Sequence, residues 1–571
     1  MARLRSAGDR IADGDYDINL TADVLVIGGS LAGLWAAIAA VQSGANVALV
    51  DKGYAGASGP IAAGSVGAYY IKPDDPIQRD AMVNARMPLA FGLADSRWGE
   101  RILDQAYRNL DQMAKWGYEW PKIHDGRERR GHITPNVLAF LRRQAERLGV
   151  RILDNSPALE LLLAEDGVAA GAAGVRRRTG ETWAVRAGAA VVATGGTAFK
   201  SVTAGTGGLT GDGYLLAGEA GAVFSGMEFT GQFHIRPFGG TLTKGAYRGE
   251  EAQLTDNNGK PVTLGRQTVA AILETGAVWD SFEKVTDPEL QELILKASYG
   301  TTQFFDDTGI NPFTGRHRAD FVCEGSIRAT GGIAIDDELQ STVPGLFASG
   351  DVTSREKVNG AGPPGGGPAA GWALGAGFFS GQSAARFARR QVGAASAGRT
   401  LRPAGGAGLR PTRARRADID LRHVEAGVQD HMFALDRNYW RDGVSLAASL
   451  ERFGGYWRDL REGLVAAEAG DARSSARNTL RARETAALVA AARWINTSAL
   501  ERKETRGLHR RSDFPALDLA QTHHLITGGV DTVWVRRQDV DPTAVFPGKE
   551  RFFPEAGVGA VAATSEVKGV A

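Results

Sequence analysis

Cysteine is almost absent. The single Cys323 among 571 residues excludes an internal disulfide, and one thiol cannot hold an iron–sulfur cluster, so any such redox centre has to come from another chain. Cys323 itself reads as a small core residue. Long apolar runs are missing too. No window approaches the ~18 uninterrupted apolar residues of a membrane-spanning helix, and M-A-R-L-R-S-A-G-D-R at the N-terminus has no apolar core of a signal peptide. A cytoplasmic protein is expected. Nor is there charge of one sign: 66 basic residues face 65 acidic ones, which argues against a nucleic-acid or membrane-surface partner and for a small-molecule enzyme. Glycine, by contrast, is abundant, with 75 residues in a chain long enough for two or three domains.

Those glycines are organised around Ala22 to Asp51. The apolar run Val24 to Ile27 is followed by a glycine turn, an alanine-rich helical segment, and a second apolar run, Val47 to Val50, that ends in an acid. This is a βαβ unit built to hold a dinucleotide. Gly28 permits the tight turn, Ser30 in place of the usual second glycine still lets backbone approach a pyrophosphate, and Gly33 lets helix and strand pack closely. The first amides of the helix, around Gly29, Leu31 and Ala32, supply N–H donors. Asp51 lies where a ribose-binding carboxylate belongs.

Along the chain, residues 1–20 lack a periodic pattern and read as a surface arm. Behind Asp51, K-G-Y-A-G-A-S-G-P-I-A-A-G is too small-residued to build a core and suits wrapping a flat cofactor, which nominates Lys52, Ser58, Gly59, Ala63 and Gly64. Residues 78–118 and 135–148 read as helices. From Val150 the pattern turns to strands, a meander carrying Ala158 and closing on a buried strand, Ala190 to Thr194. Ala193, Thr194, Gly195 and Gly196 form a second turn beside the cofactor.

Six strings then occur in one order: T-G-D-G at Thr210 with Asp212, M-E-F-T-G-Q-F-H at Met227 to His234, T-K-G-A-Y-R-G-E at Thr243 to Glu250, T-G-G-I at Thr330, V-P-G-L-F-A-S-G-D-V at Val343, and E-T-R-G-L-H-R-R-S-D-F-P at Glu504. Together they resemble the flavoprotein subunit of the succinate dehydrogenase and fumarate reductase superfamily, which includes L-aspartate oxidase and the adenylylsulfate reductase α subunit. The resemblance spans about residues 20–540. It implies an α/β fold: a Rossmann-like FAD-binding domain in two parts (21–235 and 335–392), an inserted α+β capping domain (236–334), and a C-terminal helical domain (419–515) followed by an extension (516–571). The helical domain also shows independently, because Leu446, Leu450, Phe453, Trp457, Leu460 and Leu464 step by four and three along one helix face, and a second helix, about Ser474 to Ile495, should pack on it. Between lies an Arg/Gly/Pro-rich stretch (393–418), either a solvated linker or a docking strip for an acidic redox partner.

By the same resemblance, Arg266 falls on the family's acid or base facing the flavin, and Arg248 on its proton relay. Arginine is a poor proton donor alone, so this role needs the relay. Here, however, Lys244 replaces the relay's glutamate and Tyr247 is inserted, which leaves Glu250 as another route. Both arginines could instead make structural ion pairs. His234 falls on a substrate-binding histidine, or is a core residue between Phe233 and Ile235. Asp351 after Gly350 is placed for the ribityl chain. Pro368 reads as the first residue of a helix, Ala369 to Phe387, whose N-terminus faces the flavin's pyrimidine edge, with Gly371, Gly375 and Gly381 allowing close packing.

Three departures narrow the chemistry. Ile327 and Arg328 stand where relatives binding C4 dicarboxylates have a His-Tyr pair, and N-G-A-G-P-P-G-G from Asn359 puts Pro363 where they have an arginine. A succinate-sized dianion needs clamps at both ends, and two are gone, although Arg328 and Asn359 remain candidate substrate ligands. Gly59 stands where several relatives carry a flavin-linked histidine, so FAD should be non-covalent. The stretch Ser58 to Tyr70 also resembles the adenylylsulfate reductase α subunit, with Ala68 at that family's asparagine. The expected activity is hydride transfer between FAD N5 and a small organic substrate other than succinate or fumarate. The alternatives are an adenylylsulfate-reductase-like subunit working with a ferredoxin-type partner, and a flavin-binding redox or assembly module without substrate chemistry of its own.

Overall fold

A computed structural model of the chain describes residues 15–122, 126–241, 252–296, 299–363, 366–391, 400–413, 419–464 and 469–545. Its centre is an eight-stranded sheet. Strand β1 (Ile18–Ile27) runs parallel to β2 (Val47–Val50) on one side and to Thr182–Val192 on the other, with helix α1 (Leu31–Gln42) as the crossover. Val24, Leu25 and Val26 are wholly buried, and Leu31 to Ala40 of α1 are buried all round. A helix without a polar face has to be covered on every side. Here the sheet covers one side and the helix Gly366–Arg390 the other. That second contact is close enough that a Cβ at Gly377 or Gly381 would lie 2.5 or 2.0 Å from the carbonyl oxygens of Ala32 and Ala36.

Several expectations need adjusting. The N-terminal arm ends early, because β1 begins at Ile18 and pairs with Trp183. Residues 78–118 are not continuously helical. Helix Pro76–Arg86 stops before Pro88, and Ser96–Lys115 starts afresh behind Asp95, whose carboxylate accepts from the Arg97 N–H at 3.0 Å. The meander is three strands, Ala158–Ala164, Ala169–Val175 and Thr182–Val192, while Arg151–Leu153 leaves it to run parallel to β2 at the far edge. The helix expected from Pro368 already begins at Gly366 and runs to Arg390. Of the three glycines assigned to its packing, Gly375 and Gly381 are crowded, whereas the nearest atom to a Cβ at Gly371 would be 3.8 Å away.

The arginine-rich stretch is not a solvated linker where it is described. Leu401–Pro403 pairs antiparallel with Ala158–Ala164 at the sheet's other edge. Arg410 is buried and grips Glu160 through two bonds of 2.6 and 2.8 Å. Burying either charge alone would be costly, so each makes the other's burial possible.

The cap is a four-stranded antiparallel sheet ordered Gln232–Pro237, His317–Gly325, Val278–Ser281 and Gln253–Asp256, with helix Arg266–Thr275 on one face. Its own small core is Ile235, Leu254, Ala271, Val278 and Ala319. In the C-terminal part, helix Gly443–Gly463 buries Leu446, Phe453, Trp457 and Leu460 against its neighbours, with Leu464 buried just past its end and Leu450 half-buried at the margin. Helix Ala472–Glu501 is longer than expected. Both start on an aspartate cap, Asp442 and Asp471, each accepting from a serine N–H at 2.9 Å.

The extension behind residue 515 is also folded in part. His523–Gly528 and Trp534–Asp539 form a hairpin joined to Phe224–Ser225. It is fastened by His524, whose Nδ1 lies 3.0 Å from Glu356 Oε1, while Ser225 Oγ donates to the other oxygen. Burial disfavours the charged imidazole, but the Glu356 carboxylate outweighs it and raises the His524 pKa. Burial likewise opposes the Glu356 carboxylate, and His524 outweighs it, so the Glu356 pKa is lowered. The His524 contribution to stability is therefore complete below about pH 6.5 and lost as pH rises through the raised folded value. That of Glu356 is present above about pH 4.5 and lost on acidification. Replacing His524→Gln should cost most between those limits and progressively less in alkali. Urea unfolding of both proteins from pH 5 to 9 checks this, and a pH-independent difference would contradict it.

Candidate active site

The cleft forms where β1 ends. Gly28 adopts φ +107°, and a Cβ there would sit 2.4 Å from the Ala193 carbonyl oxygen, so only glycine fits. Its N–H donates to the Val50 carbonyl at 2.8 Å, and the Gly29 N–H donates to Asp51 Oδ2 at 2.7 Å. The other Asp51 oxygen accepts from the Gly53 N–H and the Ser58 hydroxyl at 2.7 and 2.8 Å. The buried carboxylate thus fixes the turn and the following loop in one contact set. Ser30, the N-cap of α1, makes no side-chain capping bond, so the first-turn amides stay available to an anion. Gly33 works as expected from its position, since a Cβ there would overlap the Gly28 carbonyl oxygen at 1.8 Å.

The cleft is walled by Gly28, Gly29, Ser30, Leu31, Ala32, Asp51, Lys52, Ser58, Gly59, Ala158, Ala193, Thr194, Gly195, Asp212, Gly350, Asp351 and Ala369, with Arg328. Each was expected at the cofactor or, for Arg328, at the substrate. Five expected cofactor residues are not in the wall: Gly33, Gly196, Ala63, Gly64 and Pro368. Gly33 and Gly196 act one layer behind. A Cβ at Gly196 would meet Ser326 Oγ at 2.1 Å, and Ala63 lies 3.1 Å from where a Cβ of Gly205 would be. Two wall residues have a commitment their positions in the sequence did not announce. Lys52 Nζ bonds Asp212 Oδ2 at 2.6 Å and Glu484 Oε1 at 3.0 Å, tying the cleft to the long C-terminal helix, and these two acids more than offset burial to raise the lysine's pKa.

The opposite wall comes from the distant segment 349–355. Asp351 Oδ1 accepts from Arg355 at 2.6 Å, and its carbonyl accepts from Tyr214 OH at 3.2 Å. Arg328 sits in the left-handed backbone region, φ +55°, and is ion-paired with buried Glu324. Thr203 and Thr206 add a hydroxyl chain, their oxygens 2.7 Å apart. Arg177, Tyr54, Thr203, Thr206, Thr241 and Glu324 line the cleft without having been singled out. The threonines flank the glycines of S-V-T-A-G-T-G-G and were readable. Glu324 was not, because its pairing with Arg328 arises across a turn after the strand ends.

The proposed catalytic residues are not gathered in this wall. His234 is half-buried on its cap strand, Nδ1 3.3 Å from the Ile235 carbonyl oxygen. Arg266 is exposed at the start of its helix, its guanidinium carbon 5.6 Å above the Trp440 ring. Asn359 is buried, and neither polar side-chain atom has a hydrogen-bond partner among the described residues. Arg248 lies outside the described residues, with Lys244, Tyr247 and Glu250. Pro363 offers only its carbonyl, which accepts from Arg86 Nη2 at 2.7 Å.

A glycine cradle that no side chain could enter, uncapped amides at a helix start, and a carboxylate behind each strand end suit a flavin dinucleotide, and the cleft is that of an FAD-dependent oxidoreductase with an inserted cap. The chain belongs to the FAD binding domain family, whose pattern it matches over residues 23–368, and residues 440–552 match the family described as fumarate reductase flavoprotein C-term. It is 26% identical to L-aspartate oxidase of Mycobacterium tuberculosis over 550 residues, covering 89% of this chain and 96% of that one. With the fumarate reductase flavoprotein subunit of the same organism it shares 27% over 558 residues, covering 87% and 92%. Among solved structures, an E. coli quinol fumarate reductase chain superposes with a TM-score of 0.76 at 20% identity, covering 94% of this chain and 100% of that one. Adenylylsulfate reductase from Archaeoglobus fulgidus gives 0.73 at 17%, covering 93% and 97%. None of the helices among the described residues is long and apolar enough to cross a membrane.

Proposed function

We propose that this FAD enzyme oxidises or reduces a small organic substrate other than a C4 dicarboxylate. The carrying observation is the loss of clamps: Ile327 and Pro363 occupy two of the expected positions, and Arg328 beside Ile327 is already paired with Glu324. A succinate-sized dianion needs a clamp at each end, and Arg328 can serve at most one of them. Bound FAD supplies a hydride acceptor or donor at N5. The chain's own residues then bind and orient: the first-turn amides of α1 take the pyrophosphate, Asp51 the ribose, Asp351 the ribityl chain, and Arg328 one anionic or polar group of the substrate.

Proton transfer is assigned to Arg266, with Arg248 and His234, on the family resemblance. In this structure the Arg266 guanidinium lies over the Trp440 ring, outside the cleft wall. An Arg266→Lys enzyme that reduces its flavin as fast as the parent would remove the assignment.

An anaerobic flavin-bleaching screen across amino acids, hydroxy acids and enoates tests the substrate reading. Turnover is expected with a compound outside the C4 dicarboxylates and negligible with succinate and fumarate; rapid bleaching by succinate would overturn it. Because Gly59 has no nucleophile, acid precipitation should leave the yellow colour in the supernatant, and flavin retained in the pellet would contradict non-covalent binding. Electron delivery to a ferredoxin-type partner is the second reading. The single cysteine of the chain cannot hold an iron–sulfur cluster, so such a centre would have to come from that partner. Co-purification of an iron–sulfur chain would support that reading.

A further inference from the structure

We infer that Arg355 is a positioning residue that ties the grip on the flavin to the wall facing the substrate. This rests on the reading above that FAD fills the cleft with Asp351 at its ribityl chain. Arg355 is 1% exposed, and its fork spans two segments. Nη1 donates to Asp351 Oδ1 at 2.6 Å, and Nη2 donates to the Ala329 carbonyl. Its own backbone N–H donates to the Thr330 carbonyl at 2.7 Å. A second strut runs in parallel. Tyr214 OH lies 3.2 Å from the Asp351 carbonyl and 3.0 Å from Ser326 Oγ, which in turn accepts from the Thr197 N–H at 2.8 Å.

Both struts end on the turn 326–330, whose middle residue is Arg328. A residue with a Cβ is strained in the left-handed backbone region. Such a conformation persists only where the flanks are held, and here they are held from the loop that carries Asp351. Whatever fixes Asp351 therefore fixes the angle at which Arg328 enters the cleft. A lysine at 355 could satisfy the Asp351 carboxylate but has no planar fork to reach the Ala329 carbonyl as well, so the two functions can be separated by substitution.

Two titrations of the holoenzyme decide it: the dissociation constant for FAD, and that for sulfite, an anion that adds to flavin N5 and bleaches it. Arg355→Gln should weaken both about tenfold, the scale of one charge-assisted hydrogen bond. In an Asp351→Asn background the FAD effect should shrink below about twofold, and in an Arg328→Gln background so should the sulfite effect. Arg355→Lys should recover FAD affinity but not sulfite affinity, and it carries the test alone if the glutamine variant does not fold. Full additivity in both backgrounds, or sulfite affinity untouched in both Arg355 variants, would overturn the inference. Failure of the underlying reading looks different: the parent chain takes up no FAD, or Asp351→Asn leaves FAD affinity unchanged.

Discussion

Gly33→Ala is expected to yield a folded but nearly colourless protein. One methyl group has nowhere to go, because its carbon would lie 1.8 Å from the Gly28 carbonyl oxygen and 2.9 Å from the carbonyl carbon. Those atoms are backbone and cannot rotate aside. The helix has to lift from the strand, and the turn that lifts with it is the one meant to lie against the pyrophosphate. Overpacking in a dense core costs about 1–3 kcal/mol. Taken from binding, about 3 kcal/mol is a hundredfold or more in FAD affinity. Titrating FAD into the apo forms of both proteins measures it, with circular dichroism reporting the fold. A variant that keeps parental affinity would show that the crossover does not hold the cofactor.

The largest loss of stability is expected from Glu504→Gln. Glu504 is fully buried and serves three groups: Arg502 at 3.0 Å, Arg506 at 2.6 and 3.1 Å, and the Asp518 N–H at 2.9 Å. Arg502 also holds Glu228 at 2.8 Å, and Arg506 reaches the Phe91 carbonyl, so the network joins the C-terminal motif to the cap entrance and the FAD domain. Removing the carboxylate leaves two guanidinium groups short of charge where no water reaches, at a cost of about 3–5 kcal/mol. Asp430→Asn provides the contrast. Its pair with Arg437 is about as short, 2.8 Å, but the side chains are 50% and 35% exposed, and such pairs contribute less than about 1 kcal/mol. Denaturant unfolding should separate the two by several-fold, and equal losses would show that burial is not what gives the network its weight.

What was legible in the sequence was what the chain specifies locally. The crossover from Val24 to Asp51 is written in consecutive residues, and Gly28 and Gly33 make the tight turn and the close helix packing that spacing indicated, while Asp51 holds that turn through the Gly29 N–H. The Leu446 to Leu464 face is local too. What failed was decided by partners far along the chain. Leu401–Pro403 is a strand only because Ala158–Ala164 offers an edge, and Arg410 is buried only because Glu160 is there. Lys52 lines the cleft where it was expected, but nothing nearby hinted at its bond to Glu484. Arg355, with no motif of its own, is visible only once the turn it supports has been folded beside it.

The two walls of the cleft are written far apart, one beginning at Ile27 and the other ending at Ala373. At about 5–20 residues per second of synthesis, the glycine crossover leaves the ribosome tens of seconds before its opposite wall exists. The sheet edge at Leu401–Pro403 and the hairpin at His523–Asp539 arrive later still. A complete cleft therefore exists only once residues as late as Ala373 have been made.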